Sequence, residues 1–414
     1  MSENNIENYS FLDPLINSDP YEFYGLLHKE QPVYQIPEVG IYMLTKYDDI
    51  RMALKDFGTF SNDVSVATRG EFSSLHQEIL VNGGGWEHVQ TLQRTDPPIH
   101  RRYRTLVDRV FTKKRVDELL PHLDEVVNEL IDNFIDRGSC DFNDEFAMRM
   151  PGIIIAEQLG LSRDDVATFK KWADSMLGAS RTPIATKEEV TKNAKIELEA
   201  QLFLAEVFEE RRKNPKEDLM SAMVHAHGDD EEPLSMHELQ NLMHQLITGG
   251  YETTQSAINH GMWALIRFPE IIEKLNQDET LLKPFIEEVL RWESPVQFLL
   301  RRTTKDVEVS GTTIPKDSMV MMGYGPANRD EDKFICPHQF QLERKGVGAH
   351  MAFGSGAHHC PGALLGRQEM IRSFKFLVNR LKNIKLDKPL SEPVHNFSMF
   401  FMPMREFYIS FDKR

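Results

Sequence analysis

The segment with the clearest chemical potential is FGSGAHHCPGALLGRQE, residues 353–369. Gly354, Gly356 and Gly362 surround Cys360, so the backbone there can come close to a large, flat ligand. A helical pattern starts directly behind the cysteine. Free N–H groups and the dipole at a helix N-terminus both favour a thiolate. The segment therefore indicates a cysteine whose thiolate can bind a metal centre.

Two other interpretations of this cysteine stay open at the level of the residues alone. The first is a buried structural cysteine in a glycine-rich turn, a common role for a free thiol. The second is a zinc site made by His358, His359 and Cys360. That site lacks a nearby fourth ligand, and three adjacent residues do not easily converge on one tetrahedral ion.

A second chemical pattern, GGYETT at residues 249–254, interrupts a long helical segment. Glycine and threonine are poor helix formers in mid-helix, and hydroxyls there compete for backbone carbonyls, so the helix can bend or open. Glu252 and Thr253 could then relay protons into the opening. The alternative is a plain helix kink beside a solvated glutamate.

The cysteine segment closely resembles the haem-binding loop of cytochromes P-450. Gly366 stands where the family usually has alanine, and Pro361 removes one backbone N–H near the sulfur. The resemblance implies haem b with Cys360 as the axial thiolate, and it makes GGYETT similar to the family's oxygen-activation motif with Thr253 and Glu252 as catalytic residues. The matching positions in the cysteine segment are Phe353, Gly354, Gly356, His358, Cys360, Gly362, Leu365, Arg367 and Glu369.

Further motifs follow the family's order along the chain. TDPPIHRRYR (95–104) resembles its Asp-Pro-Pro-x-His-x-x-x-Arg stretch, which implies that His100 and Arg104 bind haem propionates. Arg301 and His358 match two more propionate ligands, although the adjacent Arg302 competes with Arg301 for that role. By resemblance, Phe353 and Gly354 also belong to the cofactor site. For each residue taken singly, a surface salt bridge is an equal alternative.

A structural pair is implied by Glu288 and Arg291, whose i, i+3 spacing lets the side chains touch. An ordinary surface pair is the alternative. In the family this pair locks the irregular region ahead of the cysteine loop, often with a third, basic member in a Pro-x-Arg-Phe pattern. This chain has Pro337-His338-Gln339-Phe340 instead. Gln339 therefore leaves the third member undetermined.

The positioning elements are predominantly helical. Apolar periodicity predicts helices at about 115–137, 189–213, 279–292 and 362–381, and a helix of roughly 50 Å between the capping-box pair Ser235–Glu238 and Pro269. Short strands are expected at about 30–60, 296–325 and 395–412, with a turn at Ser310–Gly311 and a C-terminal hairpin. The resemblance implies one domain over residues 1–414, mainly α with small β-sheets (α+β), in which the haem lies between the long central helix and the cysteine-loop helix.

The composition limits which partners the protein can bind and which cellular compartment it fits. The net charge is −16, which disfavours nucleic acid and acidic membrane surfaces. Three cysteines without a CxxC pair disfavour a disulfide framework and fit a reducing cytoplasm. No apolar run reaches the length of a membrane anchor or a signal peptide. We also find no flavin or iron–sulfur motif, so we expect electrons to arrive from a separate protein.

The function implied by the resemblance is monooxygenation, in which one atom of O2 enters a C–H bond of a lipophilic small molecule and the other leaves as water. A terpenoid or a steroid would fit an apolar pocket with few polar anchors. Gln245, Thr248 and Gln297 are its polar candidates, although contact with backbone or water is as plausible a role for them. The proposed pocket residues are Gln245, Thr248, Gly249, Val296, Gln297, Phe298 and Phe400.

A basic stretch is the candidate docking surface for an acidic ferredoxin. Residues 101–115 carry seven basic side chains and one acid, Asp108. A solvated helix face is the alternative. The basic members are Arg101, Arg102, Arg104, Arg109, Lys113, Lys114 and Arg115.

Other functions remain open beside this one. A peroxide-driven hydroxylase, or a desaturating or ring-coupling oxidase, would keep the haem and change the reaction. A haem-thiolate sensor or carrier would keep the haem without catalysis. A haem-free helical binding module would require the cysteine loop to be a coincidence.

Overall fold

The structure is a computed structural model that describes residues 6–65, 72–181, 186–227, 232–387, 394–395 and 397–414. The described chain is mainly helical, as the sequence predicts. Its α-helices are α1 Pro14–Ser18, α2 Tyr21–Glu30, α3 Tyr47–Ala53, α4 Ser73–Asn82, α5 Ile99–Val110, α6 Lys113–Asp132, α7 Arg149–Gln158, α8 Val166–Arg181, α9 Lys187–Lys213, α10 Leu219–Val224, α11 Met236–Arg267, α12 Glu270–Gln277, α13 Leu282–Trp292, α14 Tyr324–Asn328 and α15 Ala363–Arg380.

The strands are short and form small sheets. They are β1 Val33–Gln35, β2 Tyr42–Leu44, β3 Phe60–Ser61, β4 Ser139–Asp141, β5 Phe298–Thr303, β6 Val307–Val309, β7 Thr312–Ile314, β8 Met319–Gly323, β9 Leu381–Leu386, β10 Val394–His395, β11 Met404–Glu406 and β12 Tyr408–Lys413. Their order is β1-β2-β8-β5-β3 in the largest sheet and β4-β12-β9 in a second one, while β6–β7 and β10–β11 are separate pairs.

The chain divides into two compact units, each discontinuous in sequence. Unit 1 comprises 1–61, 120–150 and 253–414, and unit 2 comprises 62–119 and 151–252. The boundary at 252/253 falls inside α11. Within the described residues, no helix has the length and apolar character needed to cross a membrane.

In unit 1, apolar residues pack on both faces of the five-stranded sheet. One cluster joins α3 to β8 through residues such as Ile50 and Met322, and another joins α2 to β5 through Tyr24 and Phe298. The C-terminal half of α11 packs directly on α15, because Gly261 leaves room for the Phe374 ring; a Cβ at 261 would lie 2.3 Å from it. A single-turn π-helix, Asn143–Ala147, supports α11, since the Asn143 Oδ1 accepts hydrogen bonds from Gln255 and Asn259 at 2.8 Å.

Unit 2 is built around α9, against which α4, α8 and α10 pack. Trp172 on α8 meets Phe203 on α9 with ring centroids 5.2 Å apart, and Phe169 meets Tyr251 of α11 edge-on at 5.4 Å. Gly152 allows α7 to approach the same tyrosine, because a Cβ there would already touch its ring at 3.4 Å. Aromatic contacts thus hold the N-terminal half of α11 in this unit.

Several local predictions are confirmed. The Ser235–Glu238 capping box forms, with the hydroxyl and the backbone N–H of Ser235 both donating to the Glu238 carboxylate at 2.8 Å. The turn at Ser310–Gly311 joins β6 to β7, and both residues have the positive φ that such a turn requires. The predicted helices correspond to α6, α9, α11, α13 and α15 within a few residues at each end.

The predicted C-terminal hairpin is wrong. β11 pairs with β10, whereas β12 pairs with β4 and β9, two strands that the sequence analysis missed. Each of these partners is distant in sequence or only a few residues long, so alternation within 397–411 could not reveal it. Residue 396, inside the third predicted strand region, lies outside the described residues.

Candidate functional site

The cysteine loop, residues 353–362, leads directly into α15. Gly354 and Gly356 have φ of +68° and +74°, values that disfavour any residue with a side chain. A Cβ at Gly356 would also lie 2.9 Å from the Leu54 carbonyl oxygen. The Cys360 N–H donates to the Phe353 carbonyl at 2.9 Å and closes the loop. These glycines therefore fix a tight loop that presents the cysteine.

Cys360 differs in setting from the other two cysteines. It is partly exposed and lies two residues before Gly362, the N-cap of α15, so the positive end of the helix favours its thiolate. Cys140 is buried in β4, and that burial raises the pKa of its thiol. Cys336 is exposed and precedes no helix. Among the described residues, His358, His359 and Cys360 do not converge as a metal-binding group, which disfavours the zinc alternative.

A charged cluster centred on Glu287 of α13 contacts residues on both sides of the cysteine loop. The Arg367 guanidinium lies 4.3 Å from the Phe353 ring centroid and donates to both Glu287 oxygens, at 2.6 and 3.1 Å. His350 contacts the same carboxylate at 2.9 Å. Burial pushes the pKa of Glu287 up, but the hydrogen bonds from His350 and Arg367 outweigh it and lower the pKa to about 2. Glu287 is therefore ionised and holds the loop at neutral pH.

Glu369, two residues after Arg367 on α15, is also buried, but its pKa shifts in the opposite direction. Desolvation raises the pKa of Glu369 to about 8, so the folded protein keeps this carboxyl protonated at pH 7. Glu369 belongs to the family motif in the sequence, but its neighbours in the sequence do not indicate that it is protonated.

We expect Glu369→Gln to raise the melting temperature above about pH 7 and to change it little near pH 5. In the unfolded chain the carboxyl ionises near 4.5, whereas in the folded chain it ionises near 8. Between those values only the folded state holds the proton, so stability falls as the pH rises, by about 1.4 kcal/mol per pH unit and about 5 kcal/mol in total. Thermal unfolding of the haem-loaded protein at several pH values measures this difference. Glu343→Gln, at an exposed position, is the control; a parallel pH dependence in wild type and Glu369→Gln would contradict the assignment.

The GGYETT segment lies in the middle of α11, which is helical without interruption from Met236 to Arg267. Glu252 is buried, Thr253 is half-buried, and Thr248 donates its hydroxyl back to the His244 carbonyl at 2.8 Å. A Cβ at Gly249 would meet nothing within 4 Å, so this position borders open space. Within unit 1, a Cβ at Gly366 would lie 3.9 Å from the Thr254 Oγ1, so α11 passes α15 one residue after Thr253.

Arg301 and Arg302 differ sharply in their surroundings. Arg302 forms an ion pair with Asp317 at 2.5 Å near the surface. Arg301 is only 5% exposed, and it bonds to the Leu300 carbonyl at 2.7 Å and to the Tyr324 hydroxyl. No carboxylate in the described part of the chain forms an ion pair with it. A buried guanidinium without a protein anion favours Arg301 over Arg302 as the ligand of an external anion.

The other three proposed anion ligands are divided between the units. His358 ends the short 3₁₀ turn Gly356–His358 in unit 1. His100 and Arg104 lie on α5 in unit 2, where His100 is buried. Burial and the neighbouring Arg104 charge lower the pKa of His100, so its imidazole is neutral at pH 7. The Arg104 Nε donates to both Asp108 oxygens, at 2.9 and 3.0 Å.

Glu288 and Arg291 are both fully buried and joined by two hydrogen bonds of 2.7 Å. The undetermined third member is Arg344, which the sequence analysis missed. Its Nε reaches both Glu288 oxygens, at 3.0 and 3.1 Å, and its other nitrogens bond the carbonyls of Ile335, Cys336 and Gln339. Gln339 contributes only its carbonyl. We call Glu288, Arg291 and Arg344 the Glu288 network.

The polar pocket candidates are bonded within the protein. Gln245 donates to Thr91 and Asn241 at 2.9 Å and accepts from the Gln93 N–H at 3.0 Å. Gln297 donates to the Ser294 carbonyl at 2.6 Å and accepts from the Tyr24 hydroxyl at 3.1 Å. Thr248 is bonded to its own helix, so all three side chains have hydrogen-bond partners within the protein, and their role in the pocket stays a prediction.

The apolar pocket candidates in unit 1 lie together. Gln297 and Phe298 both donate backbone hydrogen bonds to the Phe400 carbonyl, at 2.8 and 3.3 Å, and Val296 pairs with Phe401. The Phe298 side chain, however, packs edge-on against Phe11 at 5.4 Å and is 1% exposed. The Phe298 ring therefore packs in the core of unit 1, and its role in lining the pocket stays a prediction. Val296 and Phe400 are half-buried.

Several of the basic side chains at residues 101–115 form ion pairs with acidic side chains, so fewer of them are unpaired than the composition of the stretch suggests. Arg104, Lys113 and Lys114 pair with acids one turn further along their helices, at positions 108, 117 and 118. Arg102 pairs with Glu238 of α11. The count of seven bases against one acid included Asp108 but left out the three partners that lie outside the stretch, Asp117, Glu118 and Glu238. Surface pairs of this kind are worth only about 0–1 kcal/mol, so an incoming acidic protein can still compete for the cations.

Comparisons with known proteins agree with this arrangement. The family model described as Cytochrome P450 matches residues 165–411. The chain is 33% identical to cytochrome P450 monooxygenase PikC of Streptomyces venezuelae, over 89% of this chain and 86% of that protein. It is 30% identical to 6-deoxyerythronolide B hydroxylase of Saccharopolyspora erythraea, over 89% and 90% respectively.

Solved structures extend the similarity to the fold. Cytochrome P450 CYP109Q5 from Chondromyces apiculatus superposes with a TM-score of 0.87 at 30% identity, covering 98% of both chains. CYP109E1 from Bacillus megaterium, solved in complex with corticosterone, gives 0.82 at 26% identity, covering 95% of this chain and 98% of that one. With the family model spanning more than half of its 414 residues and such relatives spanning nearly all of it, the chain belongs to the cytochrome P450 family.

Proposed function

We propose that this P450 monooxygenase hydroxylates a C–H bond of a lipophilic small molecule, most fittingly one of steroid or terpenoid type, with O2 and two electrons from a ferredoxin. The main support for this proposal is the loop at residues 353–362, whose glycines fix its backbone so that Cys360 lies at the N-terminus of α15. The steroid class is supported by CYP109E1, whose solved complexes contain corticosterone and testosterone. Macrolides form a second class to test, since 6-deoxyerythronolide B hydroxylase is a relative.

The residues present fit the haem that the family implies. We propose that Cys360 would hold the haem iron through its thiolate and that the buried guanidinium of Arg301, which has no protein anion among the described residues, would bind a propionate. By family resemblance His358, His100 and Arg104 are proposed as further propionate ligands, and Phe353 and Gly354 as part of the cofactor site. When bound, haem with a thiolate ligand activates dioxygen reductively and favours O–O cleavage.

We assign the delivery of protons for the reaction to two side chains of α11. We propose that the Thr253 hydroxyl donates a hydrogen bond into the reaction site and that the buried Glu252 carboxyl restores its proton. Ordered delivery matters because protons reaching the wrong oxygen atom release peroxide instead of product. This role also favours the dioxygen route over a peroxide-driven one.

We expect Thr253→Ala to bind substrate normally but to lower the ratio of product to hydrogen peroxide by about a hundredfold, the lower end of what a positioned proton donor contributes. Product, peroxide and NADPH are measured in the same turnover. Thr254→Ala, one residue further along α11, is the matched control. If Thr253→Ala keeps the wild-type ratio of product to NADPH, the hydroxyl has no part in proton delivery.

The substrate class is tested by a spectral-shift screen of the haem-loaded protein, followed by product identification. Steroids, terpenoids, macrolides and fatty acyl compounds form separate arms. Hydroxylated product from a steroid or terpenoid with a ferredoxin system supports the proposal. Hydroxylation confined to another arm overturns the substrate class. Turnover that is faster with peroxide than with ferredoxin favours the peroxide-driven alternative, and binding without product favours the sensor or carrier.

The ferredoxin is proposed to dock on exposed cations of α5 and α6. We expect the charge-reversed Lys113→Glu/Arg115→Glu protein to be reduced by an acidic ferredoxin about tenfold more slowly at low salt and to approach the wild type at high salt. Its carbon-monoxide spectrum stays unchanged. Lys192→Glu/Lys195→Glu, which alters exposed lysines of α9, applies the same charge change elsewhere. Equal reduction rates for both variants at low salt would refute docking at this surface.

A further inference from the structure

Three histidines surround one buried carboxylate in unit 2, and none of them has a role in the mechanism above. Glu197 of α9 is 1% exposed. Its Oε1 accepts from His88 Nε2 at 2.5 Å and from His244 Nδ1 at 3.1 Å, and its Oε2 accepts from His76 Nε2 at 3.0 Å. His76 lies on α4, His88 in the segment that follows α4, and His244 on α11. We call these four residues the His–Glu cluster.

The ligand atoms of three members are close enough to share one ion. The donor atoms of His76, His88 and Glu197 all lie within 4.8 Å of one another. In a tetrahedral zinc site with bonds of about 2.0–2.1 Å, neighbouring ligand atoms are about 3.3 Å apart. The distance from His76 Nε2 to Glu197 Oε2, 3.0 Å, is near that value, and the distance from His88 Nε2 to Glu197 Oε1, 2.5 Å, is shorter. Small side-chain rotations, with the Nε2 protons of His76 and His88 released to solvent, would therefore convert the hydrogen-bonded cluster into a coordination site.

The backbone around the cluster is held in place by independent contacts. Gln201, one turn after Glu197, accepts from the Trp86 N–H at 2.8 Å and donates to the Trp86 carbonyl at 3.1 Å. A Cβ at Gly83 or Gly85 would lie 2.1 or 2.7 Å from the Leu198 side chain, so the segment between the two histidines packs tightly on α9. The histidine positions are thus fixed before any ion binds, which lowers the entropic cost of binding.

Access and ligand chemistry also suit a cation. The His76 and His88 side chains are 20% and 31% exposed, so an ion can reach the cluster from solvent, whereas the Glu197 carboxylate is shielded. Two imidazole nitrogens and one carboxylate oxygen suit zinc and neighbouring transition metals, and with three protein ligands the fourth position is left for water. The His244 bond to Glu197 resembles the outer hydrogen bonds that orient metal-binding carboxylates.

We propose that His76, His88 and Glu197 bind a Zn²⁺ ion, with His244 positioning the Glu197 carboxylate. The ion would connect α4 and the segment after it to α9. The alternative is a cluster held by hydrogen bonds alone, and direct measurement of metal content separates the two.

The test uses full-length, haem-loaded protein that has been treated with a chelator and then equilibrated by dialysis against micromolar Zn²⁺. Elemental analysis gives zinc and iron in one sample. We expect one zinc per iron in wild type and in His237→Gln, an exposed histidine of α11 that serves as the control. We expect at least about tenfold weaker zinc binding in His88→Gln and Glu197→Gln, and a smaller loss in His244→Gln.

Iron content and the carbon-monoxide spectrum show that each variant is folded. Because Glu197 is buried, its variant could fail to fold; the partly exposed His88 keeps the test decisive. Wild type that takes up no zinc, or that holds it as tightly as His88→Gln does, would overturn the proposal.

Discussion

Replacing Cys360 with serine is expected to abolish the strongly red-shifted Soret band of the reduced carbon-monoxide complex and to reduce hydroxylation to background. A serine hydroxyl is far less acidic than a thiol and supplies no thiolate to haem iron. The loop itself should survive, because its shape depends on Gly354, Gly356 and the hydrogen bond from the residue-360 N–H to the Phe353 carbonyl. Absorption spectra of purified variants, with iron and haem quantified, measure the effect.

Cys336→Ser is the matched control, since that thiol is exposed and lies outside the loop. It should keep the wild-type spectrum and turnover. A red-shifted band that persists in Cys360→Ser would show that the iron ligand had been misassigned. Purified wild-type protein that is colourless after haem-replete expression would contradict the haem-thiolate assignment as a whole.

Neutralising Glu288 is expected to cause the largest loss of stability of any single substitution considered for this chain. Glu288→Gln leaves the guanidinium groups of Arg291 and Arg344 buried together without a counter-charge, for which about 3–5 kcal/mol is the typical cost. Arg344→Met should cost about 1–3 kcal/mol, because it removes donors from Glu288 and from three backbone carbonyls. Arg344→Lys should not restore this stability, because one ammonium group cannot make the several hydrogen bonds that the planar guanidinium of Arg344 makes.

Thermal unfolding and the fraction of protein that retains haem report these changes. Lys345→Met, at the exposed neighbouring position, is the control for removing a cation from the same segment. If Arg344→Met unfolds at the same temperature as Lys345→Met, Arg344 is not a member of the Glu288 network.

The cysteine loop and its helix could be anticipated from the sequence because the information is local. Gly354 and Gly356 are consecutive signals in one gapless segment, and the positive φ at both follows directly from their type. The same holds for the capping box at Ser235, where two residues three apart determine the start of α11. In both the loop and the capping box, the interacting residues lie close together in the sequence, so a short sequence pattern predicts the contact.

The features that were missed depend on partners distant in sequence. Arg344 lies 56 positions after Glu288 and outside any recognised motif, so only the folded backbone brings it there. β12 reaches back to β4 near residue 140, which no alternation pattern can encode. The basic stretch was overestimated for a related reason, because counting inside 101–115 excluded the acids at 117 and 118 that follow one helical turn later.

The Glu288 network has a consequence for how the segment around residues 335–344 tolerates change. Surface connections without regular structure usually accept insertions and are cut readily by proteases. Here the carbonyls of Ile335, Cys336, Pro337 and Gln339 all accept hydrogen bonds from buried arginines. A chain anchored at so many successive carbonyls cannot lengthen by one residue without releasing several bonds at once. In sequence libraries this stretch should therefore accept insertions no more readily than the interior of a helix does.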